Sequence, residues 1–370
     1  MGADRAHPET ELALMREMRL VLVGFGNVGR ALARLLLQKR EELERRYALT
    51  WRAVGIATGS HGTVFAADGL DLEAACLEVE SGGDLTAIPG MEAVDGPIPL
   101  LRASAADLMF ENTPVDYAKG QPAVEHIRTG LDLGMHVVTA NKGPVVHAYR
   151  QLADLAQAKG ARFLFESTVM DGAPIFSLWR ETLPAARLRG FRGVLNSTTN
   201  LILGLMEDGK SFDEAVAHAQ TIGIAETDPS GDIDGWDASV KVAALVSVLM
   251  NHPMTPDQVQ RSGIRQITQD EIRQAADQSK RWKLVCQAEE RDGQLHASVQ
   301  PLQVTRDDPL YQVGGTSSAV TFWSDILGPL TVLESDPGPE TTAYGLLADF
   351  IRAATGDLGR IHPNGWKIGG

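Results

Sequence analysis

The apolar positions of the chain fall into two regimes that change over near residue 188. In the first, short apolar runs alternate with amphipathic stretches. Residues 19–23 form an apolar strand, a glycine turn follows, and Val28, Ala31, Leu32, Leu35, Leu36 and Leu43 then line one face of a long helix. The pattern predicts further strands at 51–57, 106–113, 135–140 and 162–167, with helices at 121–134 and 144–160. Strands alternating with helices predict a parallel, doubly wound sheet. The glycine- and proline-bearing stretch 58–104 is expected to be a long, mostly surface excursion.

Beyond residue 188 the alternation is lost. A strand at 188–196 precedes helices at 198–209 and 211–223, and residues 236–251 form a strongly apolar helix. A helix within 269–281 leads into strands at 282–291 and 294–304, which the dipeptide Asp292–Gly293 joins as a hairpin. Strands at 318–326 and 328–335 form a second pair, and an amphipathic helix at 339–354 follows. This half predicts an α+β domain with a mixed or antiparallel sheet, beside an α/β, Rossmann-type nucleotide-binding domain.

A length of 370 residues, 44% hydrophobic and 22% charged, fits two ordinary globular domains. Net charge is −14 with no basic cluster beyond Arg45–Arg46, which argues against nucleic acid and anionic membranes as partners. No apolar run approaches the length of a membrane span, and residues 1–17 have the mixed charge of a short extension rather than of a signal peptide. The two cysteines, Cys76 and Cys286, make no disulfide framework, and a cytoplasmic location is expected.

Candidate chemistry begins at the first turn. Gly24, Gly26 and Gly29 fit G-x-G-x-x-G between a strand and a helix, the context in which backbone N–H groups and the helix dipole hold a pyrophosphate. Phe25, Asn27, Val28 and Arg30 complete the loop. At the end of the second strand no acid appears before Asp68, and "TGSHG" (58–62) is neutral and hydroxyl-rich. With Arg30 opposite, that loop favours NADP over NAD. The loops "ENTP" (111–114) and "ANKGP" (140–144) lie at strand ends, where Asn141 and Pro144 suit helix initiation and Lys142 is placed to touch substrate or nicotinamide.

The stretch 226–241, "ETDPSGDIDGWDASVK", holds Glu226, Asp228, Asp232, Asp234 and Asp237 around Lys241. Its first part is expected to be a loop and its second a buried helix that sets Asp237 and Lys241 one turn apart. It lacks the calcium-loop pattern. A lysine held by a carboxylate suits proton transfer at a carbonyl oxygen, and unpaired carboxylates suit a substrate ammonium.

The run Ala219, Gly223, Asp228–Pro229, Asp232–Ile233, Gly235, Asp237 and Lys241 resembles the signature of the homoserine dehydrogenases. The resemblance extends to the glycine turn, "ANKGP", "ESTVMDGAP" (166–174), "NSTTNLILG" (196–204) and "GPETTAYGLLAD" (338–349). It implies a monofunctional enzyme without a C-terminal regulatory domain, which reversibly reduces L-aspartate 4-semialdehyde to L-homoserine on the route to threonine, methionine and isoleucine. The implied nucleotide-binding domain spans 18–165 plus 336–370, completed by the last helix. A catalytic domain that forms a homodimer spans 166–335. By the same resemblance Lys241 is the acid and base, held by Asp237, which also meets the substrate. Glu226 and Asp232 take the ammonium, and Ser197 and Thr198 belong to the substrate site. Gly223 and Gly338 border the nicotinamide half, and Thr113 and Lys142 its junction with substrate. A monovalent cation such as sodium is implied at Glu166, Val169, Asp171 and Ala173, largely through backbone carbonyls. A dehydrogenase of another amino-bearing aldehyde and a non-catalytic nucleotide sensor are the rival readings.

Overall fold

The computed structural model describes residues 15–356. A seven-stranded sheet contains β1 (Arg16–Val23), β2 (Leu49–Ala57), β3 (Thr63–Phe65), β4 (Glu92–Ala93), β5 (Leu108–Glu111), β6 (His136–Thr139) and β7 (Phe163–Leu164), in the order β4-β3-β2-β1-β5-β6-β7. Strands β2, β1, β5, β6 and β7 are parallel, and β3 and β4 extend the β2 edge antiparallel. The order reverses direction at β1, which opens a crevice at the carboxyl ends of β1 and β5. Both faces of the sheet are covered, which is why its central strands are continuously apolar.

On one face the helix Asn27–Gln38 packs against the final helix, Pro339–Thr355. Leu346 and Phe350 of the final helix share a core with Leu32, Leu36 and Phe110, and the Phe110 and Phe350 rings meet edge to face. The other face carries the helices Ala123–Asp132 and Lys142–Ala158.

The second sheet has β8 (Leu188–Val194), β9 (Gln260–Arg261), β10 (Lys280–Arg291), β11 (Gln294–Thr305), β12 (Ser318–Ser324) and β13 (Leu330–Glu334), ordered β13-β12-β8-β10-β11-β9. It is mixed, since β9 alone pairs in parallel. The helix Trp236–Leu249 is buried nearly all round because it packs on β10 and β11 and also on the helix Lys142–Ala158 of the first unit.

Several boundaries differ from the sequence reading. Strand β1 begins at Arg16, where Arg16 and Glu17 already pair with Leu49 and Thr50, so the extension is shorter than 1–17. Residues 1–14 and 357–370 of the expected segments lie outside the described residues. The stretch 58–104 lies mostly at the surface, as expected, but it is ordered into elements that contribute to the core. Its two short strands and the helices Leu72–Glu80 and Pro97–Ser104 bury Val64, Leu72, Cys76, Val79, Leu100 and Leu101. The strand expected at 162–167 is cut to β7 because Glu166–Thr168 turns into a 3-10 helix. The helix expected from 144 starts at Lys142, with Asn141 Oδ1 accepting from the Gly143 amide. The expected loop 226–235 contains a helical turn at Ser230–Ile233.

Candidate active site

The glycine turn is built by close approach. A Cβ on Gly24, whose φ is +91°, would lie 2.4 Å from the Asn112 carbonyl carbon, and one on Gly29 would lie 2.5 Å from the Gly24 oxygen. Gly26 faces open space instead. The helix that begins at Asn27 has no side-chain cap and no acid in its first turn, so its N–H groups are free. The turn and helix therefore fit a dinucleotide pyrophosphate. Phe25 is buried, Val28 packs on the same core, and the Phe25 carbonyl and Asn27 Oδ1 accept from Arg30. Arg30 does not merely face solvent: its Nε lies 3.4 Å from Glu80, which also binds Arg34.

The carboxyl ends of β5 and β6 carry the next groups. Asn141 Nδ2 donates to the Thr113 carbonyl at 2.9 Å, which ties "ENTP" to "ANKGP". Lys142, first in its helix, reaches across to the second unit, with Nζ 3.1 Å from Asp237 Oδ1.

There it meets the acidic stretch. Lys241 Nζ lies 2.9 Å from Asp237 Oδ2 and donates to the Leu195 carbonyl at 2.6 Å. Asn196 Nδ2 donates to Asp232 Oδ1 at 2.7 Å and to Asp237 Oδ2 at 3.0 Å, so one amide spaces both carboxylates. Burial on its own pushes Lys241 down, but Asp237, followed by Asp171 and Asp232, more than reverses this and holds the ammonium above the usual lysine range. Asp237 is 6% exposed. Burial pushes it up, yet Lys142, Lys241 and Asn196 hold it well below the usual carboxylate range. Asp232 is raised by burial and by the Asp237 charge. The result is a protonated lysine, an ionised partner and a second carboxylate that binds protons more readily.

The other expected residues divide. Ser197 and Thr198 open the helix Ser197–Glu207 beside Asn196, and Thr198 Oγ1 donates to the Ile224 carbonyl. Gly223 stands next to that contact with φ +75°, and Gly338 caps the final helix. Glu226 is exposed, and among the described residues its backbone carbonyl alone is engaged, by Gln220. Asp228 caps the Ser230 turn, while Asp234 is bound by Arg265. Asn196 and the Leu195 carbonyl escape a sequence reading because "LNST" signals only a helix start. Tyr117 is a further residue the sequence does not single out: partial burial, and then the charges of Asp237, Asp232 and Glu226, raise its phenol above the usual tyrosine range.

Around the residues expected to hold a monovalent cation, largely through backbone carbonyls, the side chains have partners of their own. Glu166 accepts from the Phe176 and Ser177 amides at 2.6 and 2.9 Å, and pairs with Arg352 at 3.1 Å. Asp171 Oδ1 accepts from Thr342, the Ala173 carbonyl accepts from the Ile175 amide, and the apolar Val169 is fully buried. Among the described residues no group of three His, Cys, Asp or Glu side chains could hold a metal ion. Arg352 thus supplies a side-chain positive charge beside Glu166.

A Rossmann-type crevice facing a lysine–carboxylate pair defines a nicotinamide-dependent oxidoreductase of a CH–OH group. The homoserine dehydrogenase NAD-binding domain profile matches residues 24–166 and the homoserine dehydrogenase profile residues 174–351. An NAD(+)-dependent homoserine dehydrogenase of Pseudomonas canavaninivorans is 36% identical over 340 residues, 91% of this chain and 96% of that protein. A homoserine dehydrogenase of Methanocaldococcus jannaschii is 36% identical over 90% of this chain and 98% of its own. Among solved structures, a hyperthermophilic archaeal homoserine dehydrogenase in complex with NADPH superposes with TM-score 0.78 at 32% identity, covering 91% of this chain and 98% of that one. The chain belongs to the homoserine dehydrogenase family.

Proposed function

We propose that the chain interconverts L-aspartate 4-semialdehyde and L-homoserine, with Lys241 as acid and base. The observation that carries this is the buried ammonium held between Asp237 and the Leu195 carbonyl. A nicotinamide coenzyme bound at the glycine turn would supply the hydride that reduces the aldehyde carbon. Lys241 gives the carbonyl oxygen its proton, and in the reverse direction the neutral amine removes the proton of the alcohol. Asp237 holds Lys241 in place and meets the reacting oxygen's side of the substrate. Asp232 and Glu226 offer acceptors to the substrate ammonium, while Lys142, Ser197 and Thr198 complete its site. Gly24, Phe25, Gly26, Asn27, Val28, Gly29 and Arg30 hold the coenzyme phosphates, with Thr113, Lys142, Gly223 and Gly338 along its nicotinamide half. No step is assigned to a metal ion.

NADP is the preferred coenzyme on this reading. Strand β2 ends without a carboxylate, and Arg30 and Arg34 stand at the facing helix. The working unit is a homodimer in the cytoplasm. Trp323, Ile326, Leu327 and Leu333, exposed on the β12–β13 hairpin, supply apolar surface for the partner copy. The test is homoserine-dependent reduction of NADP+ and NAD+ by the purified chain. Turnover with a higher kcat/KM for NADP+ is expected. No homoserine turnover overturns the substrate, and an NAD+ preference overturns only the coenzyme choice.

A further inference from the structure

Glu111 ends β5 with none of its surface exposed, and among the described residues no lysine or arginine pairs with it. A carboxylate taken out of water in this way is costly unless its oxygens are filled. Oε1 accepts from the Thr113 hydroxyl and, at 3.3 Å, from the Thr113 amide. The His126 ring approaches the same oxygen at 3.5 Å, and Thr139 Oγ1 lies 3.4 Å from Oε2. None of these contacts takes part in the proton transfer at Lys241.

Their effect is to set a direction. An ionised carboxylate only accepts, whereas a threonine hydroxyl has one proton and two lone pairs. Because Thr113 gives its proton to Glu111, its hydroxyl has lone pairs alone to offer; Asn141 Nδ2 lies 3.4 Å from it, and the other lone pair is left for whatever lies beyond. Asn141 fixes the residue from the other side, through the Thr113 carbonyl at 2.9 Å. Thr113 also lies against the glycine turn, since a Cβ on Gly24 would stand 2.6 Å from its amide nitrogen.

We propose that Glu111 is a positioning residue that fixes the Thr113 hydroxyl as the acceptor for a carboxamide N–H of the nicotinamide. This rests on the coenzyme site assigned above. The carboxamide supplies the N–H donors of the nicotinamide ring, and an acceptor-only neighbour orients it. A glutamine at 111 offers an NH2 group as well as an oxygen, so it releases the hydroxyl to turn around.

The test compares the dissociation constants of NADP+ and its 3-acetylpyridine analogue, whose methyl ketone keeps the acceptor but lacks the N–H groups. The wild type is expected to bind NADP+ about tenfold more tightly, the scale of one buried hydrogen bond. In Glu111→Gln and in Thr113→Val the preference falls to about twofold, while NADP+ still binds through its phosphates. If Glu111→Gln does not fold, Glu111→Asp carries the test, since it keeps the charge and withdraws the oxygens by one methylene, with the same loss expected. Full discrimination retained by the Glu111 variant or by Thr113→Val overturns the proposal, as does a wild type that binds both molecules equally. A wild type that binds neither NADP+ nor NAD+ overturns the coenzyme site itself.

Discussion

Two lysines of the second unit lose most of their water, and the structure treats them oppositely. Lys241 ends on the Asp237 carboxylate, with Asp171 and Asp232 nearby, and is held above the usual lysine range. Lys283, on β10 and 3% exposed, ends on two neutral acceptors, Asn200 Oδ1 and the Val313 carbonyl. Burial pushes Lys283 down, Glu207 only partly offsets this, Arg281 works against it, and the ammonium comes to about 8. Burial is common to both, so the charge nearby decides which lysine holds its proton more tightly. One helix serves both lysines: Asn196, its cap, spaces Asp232 and Asp237, and Asn200, one turn on, holds Lys283.

The largest effect that separates the two lysines is on turnover. Lys241→Ala is expected to lower kcat by about 10²-fold or more, the usual contribution of a general acid or base, and to leave the coenzyme dissociation constant unchanged. Lys283→Gln is expected to keep kcat within about twofold. Steady-state rates and coenzyme titration of both variants check this, and equal losses in kcat would erase the functional distinction.

A second comparison exchanges the partner instead of the lysine. On the proposed mechanism homoserine oxidation needs Lys241 as the neutral amine, so its rate should climb with pH into the alkaline range because the ammonium is held upward. Aldehyde reduction uses the protonated form and should persist at neutral pH. Asp237→Asn removes the leading upward influence and leaves burial to act, so the oxidation limb should move to lower pH while kcat falls about tenfold. An unmoved limb in the pH–rate profile would mean that Asp237 does not set the proton affinity of Lys241.

What could be seen in the sequence follows from how local each contact is. The glycine turn and the Asp237–Lys241 pair are short-range patterns, and their residues stand together as their spacing implies. Asn196 was invisible because its side chain does two jobs: Oδ1 caps its helix through the Thr199 amide, while Nδ2 reaches Asp232 and Asp237. The Glu166–Arg352 pair is not legible in the sequence because Arg352 lies on the final helix, far along the chain. The stretch 58–104 hides its elements for a different reason. Its strands are too short to show a period of two, and its burial comes from packing on β2 and the first helix.

The smallest expected effect lies in stability. Lys283 has a folded value of about 8, below the ordinary lysine value of about 10.4. Between those values the unfolded chain binds a proton that the native state has released, so stability rises with pH across that window. Below it both states are protonated, and the destabilisation by the buried charge is constant. The gain is bounded by about 1.4 kcal/mol for each pH unit of separation. Lys283→Gln removes the titrating group and keeps a polar head for Asn200, so its denaturation midpoint should lack this rise. Relative to the variant, the wild type should therefore gain stability from pH 8 to pH 10 in urea unfolding. Parallel curves for the two proteins would show that Lys283 keeps its proton as Lys241 does, and that neutral acceptors alone are enough to hold a buried ammonium.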